Sequence, residues 1–167
     1  MKIILFRGRP GSGKTTLSHV FAGKTHFPIL RKDDFYDPIS NYIEEHQKRN
    51  ILSHDILYKI LQSNIHTETT FILDFAFQTP ADYSLIKNWC IEGEIEFKSI
   101  LVTCSNEKVW ADRFNKRAEN PLPNQLITNF DELKKHYGTM EIGAEENELV
   151  VDTSELSPEE VVNIVSW

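Results

Sequence analysis

Several things are scarce in this chain. Only two cysteines, Cys90 and Cys104, occur in 167 residues, and their spacing suits no metal. Neither a disulfide framework nor a cysteine metal site is therefore expected, and reduced thiols in a cytoplasmic protein are the simplest reading. No apolar run approaches the roughly 20 residues of a membrane-spanning helix. The opening run Met1 to Phe6 is too short for a signal-peptide core and reads as a strand. No repeat, linker or low-complexity tract is visible. Basic residues are also in deficit: 18 Lys and Arg stand against 25 Asp and Glu, a formal net charge of −7. Such a chain repels phosphate backbones unless its cations gather locally, which disfavours a long nucleic-acid partner. The six histidines show no close ligand spacing. His46 and His54 fall on roughly one helix face and read as groove or surface residues.

What is present is an ordinary globular balance of 40% hydrophobic and 26% charged residues. It suits one domain over residues 1–167 with a sizeable core. Five β-type runs are expected at Lys2 to Arg7, Phe27 to Leu30, Thr70 to Leu73, Phe97 to Thr103 and Glu148 to Val151. None alternates cleanly, as expected of strands covered on both faces. Helical stretches lie between them. Thr15 to Ala22 ends at Gly23, Ile39 to Ser63 is long and amphipathic, and Pro80 to Glu92 and Lys108 to Arg117 follow. Asn129 to Tyr137 ends at Gly138. The last helix starts at Ser157-Pro158-Glu159-Glu160, with an N-cap, a proline at N1 and acids at the positive end of the dipole. Strands alternating with helices predict an α/β fold, a mainly parallel sheet with helices on both faces. The glutamate-rich stretch from Glu141 to Glu148 reads as a solvated loop.

The most specific feature is Gly8-Arg9-Pro10-Gly11-Ser12-Gly13-Lys14-Thr15-Thr16, a complete G-x-x-x-x-G-K-[ST] loop after a hydrophobic strand and before a helix. Glycines let successive N–H groups turn toward phosphate oxygens, and the new helix adds its positive end. Gly8, Pro10, Gly11, Ser12, Gly13, Lys14, Thr15 and Thr16 are thus the expected ATP-binding residues. Lys14 is a point charge for the β- and γ-phosphates, and the Thr15 hydroxyl is a hard ligand for Mg²⁺.

In sheets of this kind ligands sit beyond the carboxyl ends of the strands. The second strand, expected beside the first, leads into Lys32-Asp33-Asp34-Phe35, and the third leads into Asp74. One of Asp33 and Asp34 is expected to take a proton from an attacking hydroxyl, with the other capping the next helix. Asp74 is placed to hold a magnesium-bound water. Arg113 and Arg117, four apart on one helix face, predict a basic lid that ends sharply at Asn120-Pro121-Leu122-Pro123. Tyr42, Ile43, His46 and Asn50 are candidates to line an acceptor pocket, Ile43 reading more readily as core. Trp89, Trp110 and Trp167 read as packing.

These residues resemble the small P-loop kinases related to the 5′-kinase domain of phage polynucleotide kinase, with chloramphenicol phosphotransferase and zeta-toxin kinases as further relatives. The resemblance spans almost the whole chain. It implies a P-loop NTPase of nucleoside-monophosphate-kinase type with a short lid at about 108–125. It also implies an ATP- and Mg²⁺-dependent phosphotransferase with an alcohol acceptor. By that resemblance Asp33 is the general base, Arg117 contacts the transferring phosphoryl group with Arg113 assisting, and Asp74 serves the metal. Polynucleotide kinase holds its substrate's phosphate with an arginine three residues after the base, where this chain has Tyr36. It also carries a phosphatase domain not seen here. A small hydroxylated acceptor, such as a nucleoside, sugar or antibiotic, is therefore expected rather than nucleic acid or a peptidoglycan precursor. A regulatory ATP switch without an acceptor is the alternative class.

Overall fold

The computed structural model describes residues 1–137 and 142–165. In chain order the elements are β1 (Lys2–Arg7), α1 (Lys14–Thr25), β2 (Ile29–Arg31), α2 (Lys32–Ile39), α3 (His46–Ser63), β3 (Thr70–Asp74), α4 (Pro80–Glu92), β4 (Glu96–Thr103), α5 (Glu107–Ala118), α6 (Phe130–Tyr137), β5 (Leu149–Asp152) and α7 (Pro158–Ile164). The strands form one five-stranded sheet in the order β2-β3-β1-β4-β5, and every pair is parallel.

Strand alternation explains the two-faced core. Ile3 and Leu5 of β1 pack on one side with Leu57 and Leu61 of α3 and Ile86 and Cys90 of α4. Ile4 and Phe6 point the other way, to Leu17 and Phe21 of α1 and Val161 and Val162 of α7. Each such side chain, fully buried, stabilises the fold by about 1.5–3 kcal/mol. A third, smaller cluster joins Trp110 and Phe114 of α5 to Leu133 of α6. α7 opens with the expected cap, Ser157 and Glu160 forming a reciprocal capping box behind Pro158. Among the described residues no helix is long and apolar enough to cross a membrane, and both cysteines are free.

Five expectations are corrected. β3, not β2, lies beside β1, so the Asp74 strand is the immediate neighbour of the phosphate-loop strand. Gly23 does not end α1; the helix runs on to Thr25 and closes at His26, whose φ is 60° and whose N–H donates to the Ala22 carbonyl. β2 starts at Ile29, because Pro28 has no N–H for the ladder, although its carbonyl accepts from Ile72 N at 2.9 Å. The long helix expected from Ile39 starts only at His46, and a separate helix, α2, precedes it. α2 begins straight after β2 and ends at Ile39, where the Ser40 hydroxyl bonds the Asp37 carbonyl at 2.6 Å and competes with helical pairing.

The fifth concerns the glutamate-rich loop. The Glu148 side chain is fully buried and accepts a bidentate pair from Arg7, with Nε to Oε1 at 2.7 Å and Nη2 to Oε2 at 2.5 Å. The guanidinium also donates to the Gly143 carbonyl and lies 4.7 Å from the Tyr83 ring centre. Gly138, Glu141 and Trp167 fall outside the described residues.

Candidate active site

The loop between β1 and α1 turns on three glycines with positive φ: Gly8 at 145°, Gly11 at 79° and Gly13 at 99°. Space as well as φ requires glycine at position 8, where a Cβ would stand 2.2 Å from the Val102 carbonyl oxygen. Two side chains brace the loop from outside. The Trp110 indole N–H donates to the Pro10 carbonyl at 2.8 Å. The Thr153 hydroxyl lies 2.7 Å from the Ser12 carbonyl and 3.1 Å from that of Thr103.

Lys14 starts α1 and its ammonium donates to the Arg9 carbonyl at 2.9 Å. It is half-buried by surface but densely surrounded, and lines both cavities described below. Burial pulls its pKa down to about 8, against the attraction of Asp74 and Asp33 and with the repulsion of Arg117.

The Thr15 hydroxyl donates to Asp74 Oδ2 at 2.7 Å. Asp74 ends β3 in register with Phe6 on one side and Arg31 on the other, and its side chain is 7% exposed. Arg31 lies between the carboxylates, at 3.7 Å from Asp74, 3.8 Å from Asp33 and 3.2 Å from Asp34. Asp33 and Asp34 stand in the first turn of α2, not in a turn before a later helix. Their directions therefore differ by about 100°, the helical step, rather than by the half-turn of a strand. Asp33 faces the cavities with Lys14 and Thr15; the Asp34 side chain is 56% exposed and turned to Arg31.

The two arginines of α5 diverge. Arg113 is tied down, Nη1 donating to Thr153 Oγ1 at 2.7 Å and Nη2 to the Thr153 carbonyl at 2.9 Å. Arg117 faces Lys14 closely enough to lower its pKa. With the Gln125 amide turned so that its oxygen faces the guanidinium, it accepts from Arg117 Nε at 2.6 Å and Nη2 at 3.1 Å. The loop after α5 is anchored to α2, Asn124 N donating to Asp37 Oδ1 at 3.0 Å.

A cavity of about 450 Å³ runs from Gly13 and Thr16 past Arg113 to Thr153, Leu156 and Pro158. A second, of about 640 Å³, extends the other way past Lys32, Tyr36, His46 and Asn50. Lys14, Thr15, Asp33, Arg117 and Gln125 line both. Of the acceptor-pocket candidates, His46 and Asn50 line the larger cavity. Tyr42 does not, being 88% exposed in the bend between α2 and α3, and Ile43, in the same bend, is half-buried. The Tyr36 hydroxyl and His46 Nδ1 are 2.5 Å apart, and the Asn50 amide reaches His46 Nε2 at 2.8 Å. Arg31, Tyr36, Gln125 and Thr153 were not singled out from sequence as site residues. Arg31, next to the Lys32-Asp33 step, and Tyr36, three residues after Asp33, carried local signals.

A strand-loop-helix phosphate cradle at the carboxyl edge of a parallel sheet, with a basic helix opposite, defines a P-loop nucleotide-binding protein of the small-kinase fold. The model of a family described as an AAA domain matches residues 3–135, and the chain belongs to that family. A structure from Chloroflexus aurantiacus j-10-fl, described provisionally as a kinase, superposes with a TM-score of 0.79 at 20% identity, covering 98% of this chain and 96% of that one. A sugar kinase from Janibacter sp. HTCC2649 gives 0.67 at 18% identity, with 98% and 91% covered. Shikimate kinase from Bacteroides thetaiotaomicron gives 0.63 at 16%, with 98% and 96% covered. No curated protein matches the sequence.

Proposed function

We propose that this protein is an ATP-dependent kinase that moves the γ-phosphoryl group onto a hydroxyl of a small molecule. The observation that carries this reading is the junction of two cavities over Lys14, Thr15, Asp33 and Arg117. A nucleotide switch needs only the first cavity. The second gives room for an acceptor beside a carboxylate.

Placement supports a role for each residue in this reading. Lys14 and the loop N–H groups hold the phosphates. The Thr15 hydroxyl and the Asp74 carboxylate are hard oxygen donors that would hold magnesium. Magnesium held there would neutralise charge on the phosphate oxygens. Asp33 orients the acceptor hydroxyl and takes its proton as the new O–P bond forms and the bond to the ADP oxygen breaks. Arg117, steadied by Gln125, meets the charge that develops on the moving phosphoryl group. Arg113 holds α5 to the loop after β5 and borders the nucleotide cavity. The fold kinship with sugar and shikimate kinases supports a hydroxylated metabolite as acceptor, and the net charge of −7 weighs against nucleic acid.

A screen of hydroxylated metabolites for acceptor-dependent ADP release tests the proposal. At least one should raise ADP release well above basal hydrolysis. Intact Mg-ATP binding with no acceptor effect across the screen would favour the switch.

A further inference from the structure

The larger cavity has a charge pattern that its role in holding an acceptor does not by itself demand. Its carboxylates, Asp33 and Asp74, both stand at the phosphate-loop end. Beyond Lys14 and Arg117, the basic residues of the wall, among the described residues, are Lys32, His46 and His136, with Tyr36 and Tyr137 as its other ionisable groups. In a chain of net charge −7, the fixed cations of this wall, Lys14, Lys32 and Arg117, outnumber its carboxylates, Asp33 and Asp74, while burial and the nearby Lys32 and Arg49 lower the pKa of His46.

Lys32 is the unusual member. It is half-buried at the start of α2 and lines the larger cavity but not the nucleotide one. The other fixed cations at the junction have partners: Lys14 donates to the Arg9 carbonyl, Arg31 serves the three aspartates, and Arg117 meets Gln125. The Lys32 ammonium has only the face of the Tyr36 ring, 5.9 Å away. Among the described residues it makes no hydrogen bond and no ion pair. Burial lowers its pKa from the usual lysine value, and Asp33 and Asp82 oppose that only at a distance. A half-buried cation without an ion-pair partner is costly, and the Tyr36 ring that it faces is shared with a second cation, Arg49, at 4.6 Å.

We propose that the acceptor is an anionic hydroxy compound, whose carboxylate or phosphate ester pairs with Lys32 while its hydroxyl is presented to Asp33. The inference rests on the kinase reading and sharpens it to a substrate class. The Asp33 and Lys32 side chains leave the same turn of one helix, so one small molecule can meet both. The anion anchors the molecule, and the proton leaves a hydroxyl elsewhere on it.

The test uses hydroxy compounds in matched forms: gluconate, glucitol and glucitol 6-phosphate, with the same triplet at other chain lengths. Acceptor-dependent ADP release is measured for wild type, Lys32→Met and Lys32→Arg. Binding is measured by calorimetry with the nucleotide site filled by Mg-AMP-PNP, so that the probes do not compete at the phosphate loop. In wild type an acidic member should have a KM at least about tenfold below its neutral partner, and the carboxylate and phosphate arms tell which anion fits. Lys32→Met should raise that KM by about 10–100-fold, the worth of one charge-assisted contact, with the KM for ATP unchanged. Lys32→Arg should recover part of it.

Neutral members that serve as well as acids, or a KM unmoved in Lys32→Met, would overturn the inference and leave the kinase reading intact. Lys32-dependent binding of an acid without transfer would remove the kinase reading and keep the anion site. No turnover and no Lys32-dependent binding by any member would overturn the inference on its own terms.

Discussion

The Thr15 hydroxyl donates to Asp74 Oδ2 at 2.7 Å, joining the phosphate loop to the end of the neighbouring strand across 59 positions of sequence. The strand register that sets Asp74 opposite Phe6 makes the contact possible.

This pair predicts the metal response. Asp74→Ala should raise the magnesium needed for half-maximal nucleotide binding by about 10–100-fold, the usual cost of losing an outer-sphere partner. Calorimetry of ATP binding across a magnesium titration reads it. A mutant with the wild-type magnesium midpoint would free Asp74 of that role.

Lys14 predicts a pH dependence. Its pKa is lowered to about 8 by burial, and phosphate binding requires the charged form. Below about 8 the ammonium is protonated and affinity is full. As pH rises through 8 the free protein loses this proton while the complex retains it. ATP affinity should then fall by up to about tenfold per pH unit, with proton uptake on binding. Lys14→Ala should abolish the slope along with most of the affinity and leave the domain folded. A flat affinity between pH 7 and 9.5 would contradict this.

Arg117→Ala should lower kcat more than it weakens ATP binding, because it acts on charge that appears in transfer. By analogy with other phosphoryl-transfer arginines the loss is about 10³-fold. Gln125→Ala should give a smaller loss in the same parameter. A kcat within a few-fold of wild type in Arg117→Ala would reduce that residue to a surface charge.

The Arg7–Glu148 pair predicts a stability effect far from chemistry. Both side chains are at most 1% exposed, so Glu148→Ala leaves a buried guanidinium without its counter-charge. Breaking such a pair costs about 3–5 kcal/mol. Denaturant unfolding should register most of that loss in the midpoint. A change below 1 kcal/mol would mean that water or another acid takes over.

What could be read from the sequence was local. The residues from Gly8 to Thr16 identify themselves by spacing, and the capping box at Ser157 and Glu160 spans one turn. The parallel α/β class followed from the alternation of runs. The misreadings share a cause. The strand order is set by packing partners distant in sequence, so nothing in the β2 run announced that β3 would come between it and β1. Glu148 looked solvated because its partner Arg7 is 141 positions away. Arg113 and Arg117 look alike on one helix face, yet Thr153, from another strand's end, captures only the first.

The central claim is that Asp33 receives the acceptor's proton and Asp34 does not. Both are in one turn, but Asp33 lines both cavities and Asp34 is turned outward to Arg31. The direct measurement compares Asp33→Asn and Asp34→Asn in acceptor-dependent ADP release, with Mg-ATP affinity taken on the same samples. Asp33→Asn should lose at least about 100-fold in transfer with nucleotide affinity within a few-fold of wild type, and Asp34→Asn should transfer nearly as well as wild type. Full transfer by Asp33→Asn, or a loss confined to Asp34→Asn, would contradict the account.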